Sequence, residues 1–367
     1  MKIAVFHNLP LGGAKRVLFE QIKGLSSKHS IDVYEYSSEK RQMWDIDDYA
    51  NKIFIYDFIK KENENRIISD FRNFFLLDKL NKKIADDINK IKYKVVLVHH
   101  DKYTQSPFLL KYLITPSLYY IEEWLRMVHE KELEFDKNIP LINKTYENVI
   151  RKIMKNIDRN NASSADFIIA NSYFTKNNIK KAYNKKSVVC YPCADTGVFK
   201  PLRMKKKEQV IHIGSKDNIN GYPLASSAVS LVNKSIKYNL KSVIFSDNIN
   251  DKTVSEYYCE SKLTLCTSCN EPFGLVALES MACETPVLAV NEGGYRETVI
   301  DGVTGYLLPR DPKVFAEKII YLYNHPEVVR RMGKAGREHV KKNFTWKKHV
   351  DCIEKQLIKI AKSGKNN

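Results

Sequence analysis

The opening of the chain constrains the fold more than any other segment. A short apolar run at residues 2–7 leads into a turn with Gly12 and Gly13, and residues 14–27 then carry apolar side chains at helical spacing. A second apolar run follows at residues 31–36. This order of strand, glycine-bearing turn, helix and strand is typical of a doubly wound parallel sheet, because parallel neighbours need a crossover helix between them. We therefore predict an α/β fold.

The same alternation continues along the chain and then divides. Further strands are predicted at residues 94–99, 117–121, 167–170, 187–191, 209–213, 242–245, 262–266 and 286–290, with helices at 255–261, 275–282 and 314–324. The pattern pauses at Pro192, Pro201 and the basic run 205–207, which indicates a hinge. Because 367 residues exceed what one core usually serves, we assign residues 1–200 and 201–345 to two domains that face a cleft.

The net charge narrows the class of partner. A formal charge of +17 attracts anions such as nucleic acid, phosphorylated ligands or an anionic membrane face. The lysines are spread through amphipathic segments, and no helix-turn-helix, RRM or zinc-finger pattern accompanies them. We therefore expect an anionic small molecule and a membrane-borne acceptor as partners, with peripheral contact to an anionic membrane, and no nucleic acid.

The chain ends and the cysteines bear on the compartment. The first residues form too short an apolar run for a signal peptide, and no uncharged apolar stretch of about 18 residues occurs, so we expect a cytoplasmic protein. Seven scattered cysteines predict reduced thiols. Two CxxC pairs, Cys190/Cys193 and Cys266/Cys269, lie farther apart than the pairs of a zinc site, so no metal is expected.

Residues 66–91 carry apolar side chains every three or four positions, as on one face of a helix. Two interpretations stay open for this segment. It fits a helix packed on the core with a solvated polar face, which the Asp residues among the lysines favour, or a helix lying on an anionic membrane.

The strongest chemical indication lies in residues 270–282. A predicted strand ends, a Pro/Gly turn follows, and a helix begins whose free backbone N–H groups favour a bound phosphate. Glu271 precedes the turn and Glu279 lies about two helical turns beyond Gly274, so the two carboxylates serve different parts of one elongated ligand. The alternative is that Glu271 caps the helix and Glu279 faces solvent.

The block from Glu271 to Glu279 closely resembles the retaining family 4 glycosyltransferases, which have the GT-B fold. Other parts of the chain follow the family's order: Gly12-Gly13, residues 166–172, Tyr191-Pro192, Asp195, residues 199–201, Gly293-Gly294, Glu297, residues 301–307 and residues 344–346. The resemblance covers nearly the whole chain. It implies two Rossmann-like domains facing a central cleft and a last helix, within residues 346–367, that crosses back to the first domain.

The resemblance also implies roles for individual residues. Glu279 would bind the donor ribose, and Glu271 would face the transferred sugar. Phe273, Gly274 and Leu275 would offer backbone N–H groups to the sugar and the distal phosphate. Gly12 and Gly13 would approach the same phosphates from the first domain, since glycine lets the backbone come close. The donor would be a UDP- or GDP-linked sugar, with no further cofactor and no metal.

Two departures from the family pattern concern charge. Relatives usually carry an Arg after the glycine that ends the first strand of the second domain, and a Lys just before the next glycine. Here Ser215 follows Gly214, and Asn220 takes the second position, so Lys216 is the candidate to supply one of the missing charges. Many relatives also place a His beside the reacting sugar, where this chain has Glu122 and Glu123.

The sequence as a whole indicates a retaining glycosyltransferase that moves a hexose from a nucleotide-diphosphate sugar to a glycan or lipid-linked hydroxyl. Its expected catalytic residues are Glu271, Glu122 and Lys216, and Gly214 and Ser215 join the expected donor site. His99 and His100, at a strand end, are further candidates for acceptor contact. The competing interpretation is a glycosyltransferase-like subunit that binds without turnover. A nicotinamide-dependent dehydrogenase is disfavoured, because the first turn lacks the G-x-G-x-x-G pattern.

Overall fold

The computed structural model contains two parallel sheets, each flanked by helices. It describes residues 1–37, 44–58, 66–130, 141–236, 239–243 and 249–364. The predicted strand 242–245 and the last helix segment 346–367 each extend partly beyond these residues.

The first sheet has the strand order β3-β2-β1-β4-β5-β6-β7, and all its described pairings are parallel. Its strands are β1 (Lys2–Asn8), β2 (Ser30–Tyr36), β3 (Lys52–Tyr56), β4 (Val95–Asp101), β5 (Ser117–Ile121), β6 (Phe167–Ala170) and β7 (Val188–Val189). All seven residues of β4 are buried, because helices cover both faces of a parallel sheet. The helices between these strands are α1 (Gly13–Ser26), α2 (Arg66–Lys90), α3 (Arg126–His129), α4 (Leu141–Ser163) and α5 (Tyr173–Tyr183), with a 3₁₀ turn at Phe108–Lys111.

The second sheet has the order β12-β11-β10-β8-β9, also parallel. It consists of β8 (Gln209–Ile213), β9 (Asn239–Val243), β10 (Leu263–Cys266), β11 (Val287–Val290) and β12 (Gly305–Leu308). Its helices are α6 (Tyr222–Val232), α7 (Asp251–Glu260), α8 (Leu275–Ala282), α9 (Tyr295–Thr298), α10 (Pro312–Asn324) and α11 (Pro326–Asn343). The predicted strands 117–121, 167–170 and 209–213 and the predicted helix 275–282 match at both ends.

The last helix, α12 (Trp346–Ser363), returns to the first sheet. Its residues Ile353 and Leu357 are buried in the same core cluster as Val17 of α1. A disulfide joins Cys190, just after β7, to Cys352 of α12, with a Cα–Cα distance of 6.0 Å. The predicted return of this helix is confirmed, whereas reduced thiols are wrong for this pair, because the fold brings together two cysteines 162 residues apart.

Helix α2 packs on the first-domain core over part of its length. Leu77 and Ile84 are buried in the first-domain core, as a packed helix requires. Ile68, Phe71 and Phe75, nearer its N-terminus, are exposed. In the portion of the chain that the structure describes, no helix is long and apolar enough to span a bilayer.

Candidate functional site

A cavity of about 430 Å³ lies between the two sheets. One wall consists of first-domain residues at or after the carboxyl ends of β1, β4, β5, β6 and β7. The other consists of second-domain residues after β8 and between β10 and the first turns of α8. In open α/β sheets ligands bind outside the carboxyl ends of the strands, where the strand order reverses. Both sheets present that edge to the cavity, which makes it the candidate active site.

The turn before α8 lines the cavity on the second-domain side. Gly274 has φ 101°, and a Cβ there would lie 2.7 Å from the Tyr295 ring, so this position requires glycine. The Glu271 carboxylate accepts hydrogen bonds from the backbone N–H groups of Phe273 and Gly274. Glu271 therefore accepts from two of the N–H groups that the resemblance assigns to the donor.

The charge of Glu271 depends on Arg126. Burial raises the pKa of Glu271, and the Arg126 guanidinium and the two backbone hydrogen bonds oppose that rise. Arg126 crosses the cleft from α3 and donates from Nη2 to the Cys269 carbonyl at 2.6 Å. Its Nε donates to Glu130 at 2.9 Å. A first-domain cation thus holds the loop that carries Glu271.

Glu279 faces the cavity and is paired across it. One carboxylate oxygen accepts from Arg16 of α1, and the other accepts from the Tyr258 hydroxyl at 3.0 Å. Arg16 also donates to Asp251 at 2.5 Å, and its guanidinium lies 5.3 Å from the Phe199 ring centroid. Burial raises the pKa of Glu279, while Arg16 opposes the rise. The solvent-facing alternative for Glu279 is wrong, because its side chain is buried.

The glycine pair lies where the sequence predicts, opposite the start of α8. A Cβ added to Gly13 would lie 3.1 Å from the Leu275 side chain of the second domain. Gly12 has φ 154°, and a Cβ there would meet no atom within 4 Å. The backbone at Gly12 is therefore open toward the cavity, whereas Gly13 packs against Leu275.

Three predicted site residues lie apart from this group. Gly214, Ser215 and Lys216 do not line the cavity, and Ser215 and Lys216 are exposed. The Lys216 ammonium instead lies 5.6 Å from the Tyr222 ring centroid. Asn220 does line the cavity. The structure therefore brings together Gly12, Gly13, Glu122, Glu271, Phe273, Gly274, Leu275 and Glu279 but leaves the segment 214–216 outside.

Glu122 lies in the first-domain wall, immediately after β5. Burial, together with the charge of Glu123, raises the pKa of Glu122 to about 8. Burial also raises the pKa of Glu123 to about 7, although Arg126 opposes this. His100 lies beside Glu122, with 3.8 Å between Nδ1 and Oε2, and burial lowers its pKa to about 4. His99 is fully buried and bonded to Gln21, so it does not reach the cavity.

Two cationic residues of the cavity were not predicted from the sequence. Arg16 and Arg126 are cations with buried side chains that line the cavity from the first domain. Arg16 follows the glycine pair and directly precedes the apolar Val17 and Leu18 on α1, and this position could have marked it as functional. In the described ranges, no group of three or more His, Cys, Asp or Glu side chains is arranged to hold a metal ion.

Comparison with known proteins agrees with this architecture. Residues 205–339 match the family Glycosyl transferases group 1. An alpha-1,3/1,6-mannosyltransferase of Rhizomucor pusillus is 39% identical over 125 residues, which are 33% of this chain and 27% of that relative. This match therefore spans only about a quarter of the relative's length.

Solved structures match over the whole chain. Sucrose-phosphate synthase from Thermosynechococcus elongatus superposes with a TM-score of 0.76 at 17% identity, covering 99% of this chain and all of that one. Anabaena HepE in complex with UDP and glucose superposes with a TM-score of 0.73 at 16% identity, covering 98% and 99%. These likenesses establish the two-domain fold. The chain therefore has the GT-B fold, and its residues 205–339 match the model of the glycosyl transferases group 1 family.

Proposed function

We propose that the chain is a retaining hexosyltransferase that uses a UDP- or GDP-linked sugar and transfers the hexose to a hydroxyl of a glycan or lipid-linked acceptor. The observation that carries the proposal is the cavity in which the block 271–279 faces Gly12 and Gly13. The group 1 domain supports sugar transfer. The structurally similar Anabaena HepE, solved in complex with UDP and glucose, supports a nucleotide sugar as donor.

The departing diphosphate needs positive groups in the cavity. Because Ser215 and Lys216 lie outside, we assign this role to the N-terminus of α8 and to the guanidinium groups of Arg16 and Arg126. As the phosphate leaves, positive charge develops on the sugar ring, and the Glu271 carboxylate stabilises it. The proposal requires neither a metal ion nor a nucleophilic side chain.

Incubation of the purified chain with UDP- and GDP-hexoses tests this function directly. We expect nucleotide release from one donor, at the same rate with and without EDTA. Proton NMR of the product should show the donor's anomeric configuration. Loss of activity in EDTA would contradict the metal-independent part of the proposal, and an inverted product would contradict retention.

A binding subunit without turnover is the second candidate. It is favoured by the contacts of Glu279, whose oxygens accept from Arg16 and Tyr258 where the donor ribose would bind. A donor must then share or displace Arg16. If UDP or GDP raises the melting temperature while no hexose is released from any donor, this second function holds.

Replacing Glu279 by alanine tests the ribose contact. Loss of a charge-assisted hydrogen bond costs about 1.5–3 kcal/mol, so the nucleotide Kd is expected to rise by about tenfold or more. Isothermal titration with UDP or GDP measures the change. Glu317→Ala, an exposed glutamate on α10, is the matched control. An unchanged Kd in Glu279→Ala would remove this residue from the donor site.

The acceptor side suggests contact with an anionic membrane. Ile68, Phe71 and Phe75 lie along one exposed face of α2, and Phe75 is 69% exposed. Lys79 continues the same face one helical turn later, and with Lys83 it borders a groove beside α2. Apolar side chains flanked by lysines suit the boundary between headgroups and acyl chains of an anionic bilayer.

Vesicle sedimentation tests this contact. The double variant F71S/F75S is expected to have a partition coefficient on phosphatidylcholine–phosphatidylglycerol vesicles that is lower by about tenfold or more, because two large apolar side chains are no longer buried in the bilayer. The control is I300S/V303S, which alters exposed apolar residues of the second domain. Equal binding to pure phosphatidylcholine, or a dimer lost in F71S/F75S with vesicle binding unchanged, would contradict membrane contact.

A further inference from the structure

Three side chains in the first-domain wall of the cavity carry polar atoms without partners. They are His100 near the end of β4, Glu122 immediately after β5 and Asn171 immediately after β6. Their Nδ1, Oε1 and Oδ1 atoms, respectively, are buried and have no hydrogen-bond partner among the described residues. Buried polar groups in folded proteins are nearly always hydrogen-bonded, so three orphans in one cavity indicate a ligand.

The fold explains why these three meet. The strands β4, β5 and β6 are consecutive neighbours in the sheet, and Ile121 pairs with Ala170 in register. Glu122 and Asn171 are therefore the next positions on adjacent strands, about 4.8 Å apart in the hydrogen-bonding direction. His100 follows on the other side of Glu122, with 3.8 Å between the two side chains. The result is a row of polar side chains along one sheet edge.

The three side chains together carry no net charge near neutral pH. Burial lowers the pKa of His100 to about 4, so its imidazole is neutral. Burial and Glu123 raise the pKa of Glu122 to about 8, so its carboxyl is protonated and donates a hydrogen bond. Asn171 adds a neutral amide. The titratable groups that act on these side chains are Glu123, beside Glu122, and His7 on β1, beside His100. Glu122 in turn acts on the tyrosines 119 and 120 of β5.

We propose that His100, Glu122 and Asn171 form an acceptor subsite that binds the hydroxyl groups of an uncharged sugar ring. The inference rests on the proposed transferase function and specifies its acceptor class. Ring hydroxyls both donate and accept hydrogen bonds, as do the three side chains. Near neutral pH, His100, Glu122 and Asn171 offer no opposite charge to a phosphate or ammonium group, which would be desolvated here. Most residues expected to hold the donor, namely Glu271, Phe273, Gly274, Leu275 and Glu279, lie on the opposite wall.

Binding of methyl α-D-mannopyranoside and methyl α-D-glucopyranoside, with UDP or GDP present, tests the proposal. Saturation-transfer NMR is expected to detect binding of one or both glycosides to the wild type. The affinity for the glycoside should be about tenfold lower in Asn171→Ala and in Glu122→Ala. Glu122→Gln should bind within about threefold of the wild type near pH 7, because its amide also donates and accepts. Asn178→Ala, on α5 and outside the cavity, is the matched control.

The pH dependence separates a ligand contact from a structural role. Wild-type glycoside affinity should fall as the pH rises through about 8, where Glu122 loses its proton, and Glu122→Gln should lack that fall. Circular dichroism confirms folding of each variant, and if Glu122→Ala unfolds, Asn171→Ala and Glu122→Gln carry the test.

The outcomes keep the two proposals distinct. Nucleotide binding with no glycoside binding, glycoside binding unchanged by all wall variants, or tighter binding of mannose 6-phosphate than of the methyl glycoside would overturn the subsite. Absence of both nucleotide binding and hexose release would instead overturn the proposed transferase function.

Discussion

Replacing Glu271 by alanine is expected to lower kcat by about 10²–10³-fold while changing the donor Kd much less, the magnitude typical for removal of one preorganised electrostatic group. The carboxylate lies in the cavity, fixed by the N–H groups of Phe273 and Gly274 and faced by Arg126. It acts on charge that develops only as the glycosidic bond breaks, so the loss belongs to turnover. Steady-state and single-turnover kinetics measure the loss in kcat, with the UDP- or GDP-hexose that releases nucleotide in the incubation described above.

Glu271→Gln distinguishes this role from helix capping. The amide oxygen still accepts from the two backbone N–H groups, but the negative charge is gone. If Glu271 stabilises the developing positive charge, the kcat of Glu271→Gln is nearly as low as that of Glu271→Ala. If the residue only caps α8, Glu271→Gln behaves like the wild type, and Glu271→Ala has a lower melting temperature. Glu317→Ala again serves as control, and equal losses in kcat and donor affinity would contradict the assignment.

Replacing Arg16 by alanine is expected to destabilise the protein by about 3–5 kcal/mol, the cost of leaving a buried charge without its partner. Arg16 bridges Glu279 and Asp251 between the two domains, and its removal leaves both carboxylates without their cation. Differential scanning calorimetry measures the loss. A variant Arg16→Ala/Glu279→Gln should recover part of it, because a neutral amide does not need that cation.

The stability deficit of Arg16→Ala should depend on pH in a definite direction. Burial already raises the pKa of Glu279 in the wild type, and loss of the opposing Arg16 raises it further. A group whose folded pKa exceeds its unfolded value contributes stability at low pH and loses it as the pH rises through the folded pKa. The deficit relative to the wild type is therefore smallest at low pH, where Glu279 is protonated in both proteins, and it grows as the pH rises through the folded pKa values of Glu279, which lie above 4.5. A deficit that is equal at all pH values would contradict an unpaired Glu279 as its cause.

The two arginines change how the charge deficit in the sequence is understood. Ser215 and Asn220 remove the two cations that relatives place near the diphosphate, and Lys216, the expected substitute, points away from the cavity to the Tyr222 ring. Arg16 and Arg126 instead reach the cavity from the first domain. Because both also contact second-domain atoms, we expect donor binding to be coupled to the relative position of the two domains.

Most strands and the central motif could be predicted from local sequence. Buried parallel strands such as β5, β6 and β8 are uniform apolar runs, and the turn before α8 needs glycine for its positive φ, so each is marked by its own residues. The edge strand β3 was not predicted, because its residues are half-exposed and its apolar run is short. The helices α4 and α11 were not predicted, although both are amphipathic, because polar residues outnumber the apolar positions that recur at helical spacing.

The sequence alone determined the α/β architecture with two sheets and the block 271–279, because strand, turn and helix preferences are properties of residues close together in the chain. Only the tertiary structure decided which cations reach the cavity, that Cys190 bonds Cys352, and that His100, Glu122 and Asn171 stand in one row. Each of these facts joins residues far apart in sequence, and their distances follow from strand order and domain contact, which no local pattern records.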